Sequence, residues 1–178
     1  DLMPVENFFI ALYNPATDLL SFPYYVDQYD QAPESHKPGR GLTEYVLRTG
    51  KALLAPQEVF ERLVEQGEVE LIGANSMDWL GVPLKVENRV IGVMCLQSYS
   101  PGVRYQRRDL QMVNFVSNQV AMAIERQRTN DSLNSTSQRY QALVEASTDG
   151  IFLESIHGQI LDCNSTACQM YGYTREEM

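Results

Sequence analysis

The sequence predicts an α+β fold in which an antiparallel sheet is flanked by helices, and three observations lead to this prediction. A β-rich hairpin pattern begins near Asn7, and a second hairpin is centred on Glu87-Asn88. A helical pattern then runs from Asp109 to about Ser147. We expect this long connecting helix to be followed by a small β-hairpin and a short helix.

The first hairpin joins Asn7–Tyr13 to Leu19–Asp27, two segments rich in aromatic residues. The segment between them, Asn14–Asp18, has the composition of a turn. Pro23 has no amide hydrogen for the sheet, so we expect it at an edge or a bulge. The polar stretch 28–41 predicts a long loop, and loops of this length in compact domains are often functional.

The middle of the sequence predicts two short helices and a central hairpin. The helices are Leu42–Arg48 and Pro56–Gln66, each followed by a glycine, with a short strand over 51–55 between them. The hairpin pairs Asp78–Val86 with Arg89–Tyr99, and we expect Asn88 in its turn to accept a positive φ. Its second strand is apolar on both faces, as is typical of a central strand.

The long helix carries one narrow apolar stripe: Leu110, Val113, Val120 and Ile124. This 3–4 spacing is typical of a helix that packs on a sheet or on another helix. The stripe nearly vanishes over 125–139, which leaves open a solvated helix that bridges two domains or a linker.

The C-terminal segment predicts a second, smaller hairpin. Its strands are Ile151–Ser155 and Gln159–Cys163, and Asn164 is placed to cap a helix over Ser165–Met170. Thr174 and Glu177 then have the spacing of a capping box, although the sequence stops one turn later. We therefore expect the chain to be a piece of a longer protein.

Composition excludes several classes of function. A net charge of −9 argues against a nucleic-acid surface, and no apolar run approaches membrane-spanning length, so we expect neither partner for this segment. The three cysteines (Cys95, Cys163 and Cys168) suit a reducing compartment, so we predict a cytoplasmic location, with a membrane anchor elsewhere in the longer protein left open. Two histidines and three cysteines give no zinc-like set, so no metal or other cofactor is identified.

The first 128 residues resemble the GAF domain. Gly41–Lys51 (GLTEYVLRTGK) is similar to a helix motif of that family, and Gly81–Leu84 with Ile91–Val93 is similar to its central hairpin. Asp109-Leu110 and the segment 121–125 resemble its closing helix. The resemblance implies a sensory domain over 1–128 that lacks most of the usual opening helix.

The end of the sequence resembles the start of a PAS domain. The matching segments are Tyr140–Ile151, Gly158–Asn164 and Tyr171–Tyr173. The resemblance implies a connecting signalling helix over 129–148 and an incomplete PAS-like domain over 149–178. A tandem of this kind implies a bacterial-type signalling protein, with a histidine kinase or diguanylate cyclase output and further PAS residues beyond Met178.

The GAF resemblance implies a pocket between one sheet face and the connecting helices and loops. We expect an unknown small ligand, acidic or planar, because a cation and an imidazole would lie near an aromatic floor. Each candidate also has a structural interpretation as a core or loop residue. The pocket candidates are Tyr24, Val26, His36, Arg40, Glu44, Tyr45, Trp79 and Met94.

Three functions follow from these resemblances. The first is a sensory module that binds a ligand and relays its state through the long helix, with Leu110, Val113, Val120 and Ile124 pairing with their copies in a homodimer. The second is a dimerisation and relay module without a ligand. The third is a GAF-type redox enzyme such as a methionine sulfoxide reductase, which would require reactive pocket cysteines. Only Cys95 lies in the GAF-like part, and no catalytic set is found, so we expect no enzyme activity from this segment.

Overall fold

The computed structural model describes residues 5–178. The prediction that most of the usual opening helix is missing concerns Asp1–Glu6, which lies mainly outside the described residues. The described residues form two compact units, 5–125 and 126–178. In the first unit the strands are β1 (Asn7–Asn14), β2 (Leu19–Val26), β3 (Leu53–Pro56), β4 (Asp78–Val86) and β5 (Arg89–Ser98), and the helices are α1 (Leu42–Thr49), α2 (Gln57–Glu65) and the start of α3 (Arg107–Glu145).

The five strands form one antiparallel sheet in the order β2-β1-β5-β4-β3. This arrangement confirms the α+β prediction and places β5 at the centre, where both of its faces are covered. Gly50 ends α1 in the left-handed conformation, with φ 61°, as its position in the sequence predicts.

Strand β2 is an edge strand that contains a β-bulge. Ile10 lies opposite Tyr24 and Leu12 opposite Ser21, so Phe22 and Pro23 together face one residue of β1. The expectation for Pro23 is therefore confirmed. The extra residue also reverses which side chains of β2 point to each face of the sheet beyond the bulge.

The turn between β4 and β5 corrects one detail of the sequence prediction. Val86 pairs with Arg89, so the loop has the two expected residues, but the positive φ of 54° falls on Glu87 and not on Asn88. Primed hairpin turns put a positive φ at their first central position, where it matches the twist of the strands. The turn geometry therefore overrides the preference of asparagine.

The two faces of the sheet carry two separate cores. One packs against α3 and contains Leu80, Val82, Leu84, Met94 and Val113. The other lies towards α1 and contains Phe9, Leu20, Val46, Trp79 and Cys95. Alternation along β4 and β5 sends neighbouring residues to opposite cores.

Helix α3 is continuous from Arg107 to Glu145, so the segment 125–139 is helical and is not an irregular linker. Its side chains over residues 126–139 are all exposed. This agrees with the loss of the apolar stripe in the sequence.

The second unit contains the end of α3, a hairpin of β6 (Phe152–Glu154) and β7 (Ile160–Cys163), and α4 (Ser165–Tyr171). Asn164 is fully buried and caps α4 by accepting from the Ala167 amide at 2.9 Å, as predicted. Its side-chain amide donates to the carbonyls of Val144 and Asp149, both at 2.9 Å. This residue therefore ties the last turn of α3 to the hairpin and to α4.

Near the C-terminus, the Glu177 carboxylate accepts from the Thr174 amide and hydroxyl, both at 2.9 Å. The two residues interact as the capping-box spacing predicts. In the described residues this segment is a turn.

Candidate functional site

A cavity of about 280 Å³ lies in the first unit, between the α1-facing side of the sheet and the loops that cross it. Its volume is close to the lower end of the range for small-molecule sites, about 300–1,000 Å³. All five strands, helices α1 and α2 and two loops contribute to its wall. The cavity is therefore a product of the tertiary fold and not of one motif.

The floor of the cavity is aromatic. The Phe9 ring stacks on Tyr25 with centroids 5.2 Å apart, and Phe22 meets both rings edge-on at 5.9 and 6.0 Å. His36 lies 5.6 Å from the Phe22 ring and directs Nδ1 towards the Lys37 carbonyl oxygen at 2.9 Å. These pairs make a rigid apolar surface with the geometry that aromatic side chains prefer.

Trp79 extends this floor because Gly81 makes room for it. A Cβ atom added at Gly81 would lie 2.1 Å from the Trp79 ring, so the indole lies across the glycine on the same face of β4. Trp79 is 3% exposed and lines the cavity. Any side chain at position 81 would therefore displace the indole.

Glu44 supplies the buried charge of the cavity. It lies in the first turn of α1, where the helix dipole favours a carboxylate, and it is 6% exposed. Its Oε1 accepts from the Gly39 amide at 3.3 Å. A Cβ at Gly41 would lie 2.8 Å from Oε2 and 3.3 Å from Ile72, so only a glycine lets the carboxylate pack this close to the backbone.

The roof of the cavity comes from the loop over residues 70–76, which the sequence did not indicate. The Asp30 carboxylate accepts from the Ala74 amide at 2.8 Å and holds this loop against the β2–α1 loop. Gly73 has a φ of 77° and leaves space for the same carboxylate. The roof segment has no helical or strand periodicity, so only tertiary contacts place it over the floor.

A hydrogen-bonded group at the end of β2 supports one side of the cavity. Asp27 accepts from the amides of Tyr29 and Asp30 at 2.9 and 3.0 Å, from the Gln97 side chain, and from the Tyr99 hydroxyl at 3.0 Å. Partial burial opposes the charge of Asp27, but these hydrogen bonds together lower the pKa of its carboxyl group. Burial, followed by the nearby Asp27 charge, raises the pKa of Tyr25 to about 12.

The structure brings three of the eight predicted pocket residues to the cavity: His36, Glu44 and Trp79. Arg40 lies outside, where it contacts Glu70 at 3.5 Å and donates to the Gly67 carbonyl. Tyr45 also lies outside the lining, with the Arg48 guanidinium 5.4 Å from its ring centroid. One position along a helix turns the side chain by about 100°, which separates Tyr45 from Glu44.

Tyr24, Val26 and Met94 lie on the other face of the sheet, which corrects their predicted placement. Tyr24 contacts Phe8 with ring centroids 5.4 Å apart, and Val26 is paired with Phe8. Met94 belongs to the α3-facing core. Strict alternation from Leu20 would make Tyr24 and Val26 face the cavity. Because the bulge precedes them, Tyr25 faces the cavity instead.

The predicted dimer residues of α3 pack within their own unit. Val113 is 4% exposed in the α3-facing core, and Leu110, Val120 and Ile124 pack against that core. Other apolar residues of the helix are exposed instead. In the first unit these are Met112, Phe115, Val116 and Met122.

The described lining of the cavity contains no cysteine. Cys95 is fully buried in the α1-facing core, and burial raises the pKa of its thiol well above the usual value. In the second unit the free thiols of Cys163 and Cys168 lie 3.5 Å apart. Because the thiolate is the reactive form, the surroundings of Cys95 do not favour nucleophilic chemistry.

Two structural features are absent from the described residues. Across residues 5–178, no three His, Cys, Asp or Glu side chains gather as they would around a metal ion. Within the same range, each helix falls short of the length and apolar character needed to cross a bilayer.

The fold and the cavity together define a small regulatory domain, a sheet with a ligand-sized cavity on one face. The chain belongs to the GAF domain family, whose model matches residues 2–125. A PAS domain model matches residues 138–178. The GAF domain is a regulatory module of signalling proteins.

Solved structures support the same fold. The GAF domain of a phosphoenolpyruvate-protein phosphotransferase from Coxiella burnetii is similar with a TM-score of 0.59 and 12% identity, covering 72% of this chain and 77% of that one. Free methionine-R-sulfoxide reductase from Neisseria meningitidis gives a TM-score of 0.56 and 17% identity, covering 71% of each chain.

The GAF domain of a two-component sensor histidine kinase from Bacillus halodurans gives a TM-score of 0.54 and 11% identity, covering 73% of this chain and 88% of that one. At these identities the likeness concerns the fold alone. No curated protein sequence matches this chain.

Proposed function

We propose that this chain is a sensory module of a cytoplasmic signal-transduction protein, which binds a small ligand in the cavity and relays its state through α3 to further domains. The observation that carries this proposal is the cavity of about 280 Å³, with its aromatic floor and the buried carboxylate of Glu44. A mostly apolar cavity with a few placed polar groups is the usual form of a small-molecule site. The relay would end in a histidine kinase or diguanylate cyclase output in the longer protein.

Contacts in the second unit support the relay step. The Glu145 carboxylate, at the end of α3, accepts from the Ser165 amide and hydroxyl at 3.0 and 2.6 Å and pairs with Arg175. Together with the Asn164 bonds to Val144, these contacts couple the last turn of α3 to the PAS-like segment. A shift of the helix would therefore move that segment with it.

The test is a thermal-denaturation screen of the full chain against metabolites of positive, neutral and negative charge. A ligand that binds the folded state raises the melting temperature. Thr43→Phe, which adds a ring to the cavity wall, should abolish the shift, whereas Thr17→Phe in the exposed β1–β2 turn should preserve it. The proposal fails if no compound stabilises the protein, or if both variants respond like the parent.

A second candidate function is dimerisation and relay without a ligand, which the exposed apolar side chains of α3 favour. Met112, Phe115 and Met122 are 56%, 68% and 52% exposed, and apolar helix surfaces of this kind often mark protein contacts. The partner we propose is a second copy of the chain, with α3 against α3. This surface replaces the Leu110, Val113, Val120 and Ile124 surface, which packs on the sheet.

Light scattering at high protein concentration tests the dimer. We expect a dimer for the parent chain and a monomer for the Phe115→Ser, Met122→Ser double variant. The control is Asn114→Ser, an exposed position of α3 about 100° around the helix from Phe115. A monomeric parent chain would exclude this homodimer under those conditions.

A further inference from the structure

We propose that the cavity takes a protonated amine, with its ammonium group on the Glu44 carboxylate and its apolar part against the aromatic floor. The inference rests on the proposed ligand-binding function and deepens it by naming the ligand class. It replaces the acidic ligand expected from the sequence. That expectation relied on a cationic side chain in the pocket, but the charged residues that the fold brings to the cavity are acidic.

Glu44 provides the anchor. It is 6% exposed, lines the cavity, and has Oε1 held by the Gly39 amide at 3.3 Å. Its Oε2 has no hydrogen-bond partner among the described residues and is not fully buried, so a ligand can reach it. An accessible oxygen on an otherwise buried carboxylate is best satisfied by a charged N–H donor.

The remaining charges of the cavity wall have the same sign. Asp30 and Glu70 also line it, whereas the described part of the lining contains no Lys or Arg. Arg40, the cation expected there, lies outside the lining and contacts Glu70 at 3.5 Å. Arg40 offsets Glu70 from outside the lining, but an anionic ligand would still face the Glu44 and Asp30 carboxylates, so charge complementarity favours a cation.

The aromatic floor suits the rest of such a ligand. Phe9, Phe22 and Tyr25 form a cluster with ring centroids 5.2–6.0 Å apart, and Trp79 lies in the same wall. Aromatic faces attract cations within about 6 Å and also pack against apolar groups. One wall can therefore stabilise both the ammonium group and a hydrocarbon or aromatic part.

The arrangement favours an organic cation over a metal ion. Within residues 5–178 no three acidic, histidine or cysteine side chains converge as metal ligands would. Asp30 is held by the Ala74 amide and Glu70 by Arg40. Glu44 therefore acts as a single carboxylate, which matches one ammonium group.

The probes that test this class are benzylamine, benzyl alcohol and benzoate, which share a ring and differ in charge. Each is titrated into the full chain while the fluorescence of the sole tryptophan, Trp79, and the melting temperature are recorded. We expect benzylamine to bind most tightly, benzyl alcohol more weakly and benzoate least. The preference should weaken at high salt if the ammonium contact carries it.

Two variants locate the charge contact. Glu44→Gln keeps the shape but removes the charge, and should weaken benzylamine binding by roughly tenfold to a hundredfold with little change for benzyl alcohol. Glu65→Gln makes the same change in net charge at an exposed position of α2 and should bind as the parent does. Gly41→Ala crowds Oε2 without altering charge and should also weaken benzylamine.

The outcomes separate this inference from the proposed function. Equal binding of the three probes, tighter binding of benzoate, no binding of benzylamine, or an unchanged benzylamine affinity in Glu44→Gln would each overturn the amine assignment. The proposed function would survive those results if the wider metabolite screen finds a ligand that Thr43→Phe excludes. Failure of every charge class in that screen would instead remove the ligand-binding function itself.

Discussion

The two faces of the central sheet are built from the same strands but differ in what they bury. On the α3 side, Leu80, Val82, Leu84 and Leu96 meet the helix in a filled apolar core. On the α1 side, Trp79 and Phe9 border a cavity that also contains the Glu44 carboxylate. Successive side chains of one strand point to opposite faces of the sheet. The same strand can therefore contribute to a stabilising core on one face and to a cavity wall on the other.

The largest effect should follow truncation on the filled face. Leu84→Ala removes a fully buried side chain of the α3-facing core, so we expect the free energy of unfolding to fall by about 2–5 kcal/mol. Urea unfolding measures this loss. Val64→Ala, at an exposed position of α2, should change stability by at most about 0.5 kcal/mol.

An intermediate effect should follow substitution beneath the cavity floor. In Gly81→Ala the new Cβ would lie 2.1 Å from the Trp79 ring, so the indole must move. We expect a loss of about 1–3 kcal/mol and a shift of Trp79 emission to longer wavelength. Gly102→Ala, which meets nothing within 4 Å, is the control, and unchanged Trp79 emission in Gly81→Ala would contradict the described floor.

A smaller effect is expected at the roof. Asp30→Asn weakens the bond from the Ala74 amide to the carboxylate, which should cost about 1 kcal/mol and speed hydrogen exchange over residues 71–76. Asp18→Asn in the β1–β2 turn makes the same charge change far along the sheet and should leave that exchange unchanged. Equal exchange in the parent and Asp30→Asn would mean that other contacts hold the roof.

Sequence patterns predicted the elements of the fold better than the faces of the sheet. The bounds of β4 and the caps at Gly50 and Asn164 followed from local signals that act over a few residues. The sheet face on which Tyr24 lies was not predicted correctly. The extra residue at the Phe22-Pro23 bulge moves the following side chains of β2 to the opposite face. Met94 lies in a strand that is buried on both faces, so its periodicity gives no direction.

The roof of the cavity was missed for a different reason. Residues 70–76 have no periodic pattern, and the bond from Ala74 to Asp30 joins positions far apart in the chain. The apolar stripe of α3 was found, but its partner was not determined by the sequence, because a sheet and a second helix accept the same spacing.

The smallest effects, and the most direct comparison of the faces, come from two aspartates. Hydrogen bonds lower the pKa of Asp27 against its partial burial, whereas burial raises the pKa of Asp78, which lies on the α3 side and has an unpartnered Oδ1 among the described atoms. A carboxyl group whose pKa is lower in the folded than in the unfolded state stabilises the fold above its unfolded-state pKa, near pH 4. This stabilisation is lost as the pH falls through the folded-state pKa. A raised folded pKa gives stability below the unfolded value that is lost as pH rises through the folded one.

Urea unfolding between pH 3 and 7 should therefore give opposite trends for the two asparagine variants. The stability advantage of the parent over Asp27→Asn should shrink as pH falls, because the hydrogen-bonded carboxylate becomes protonated. Relative to Asp78→Asn, the parent should gain stability as pH falls, because protonation relieves a buried charge. Glu65→Gln, at an exposed position of α2, provides the baseline for a solvated carboxylate. If the two aspartate variants follow the same trend with pH, the two faces do not impose different electrostatic environments.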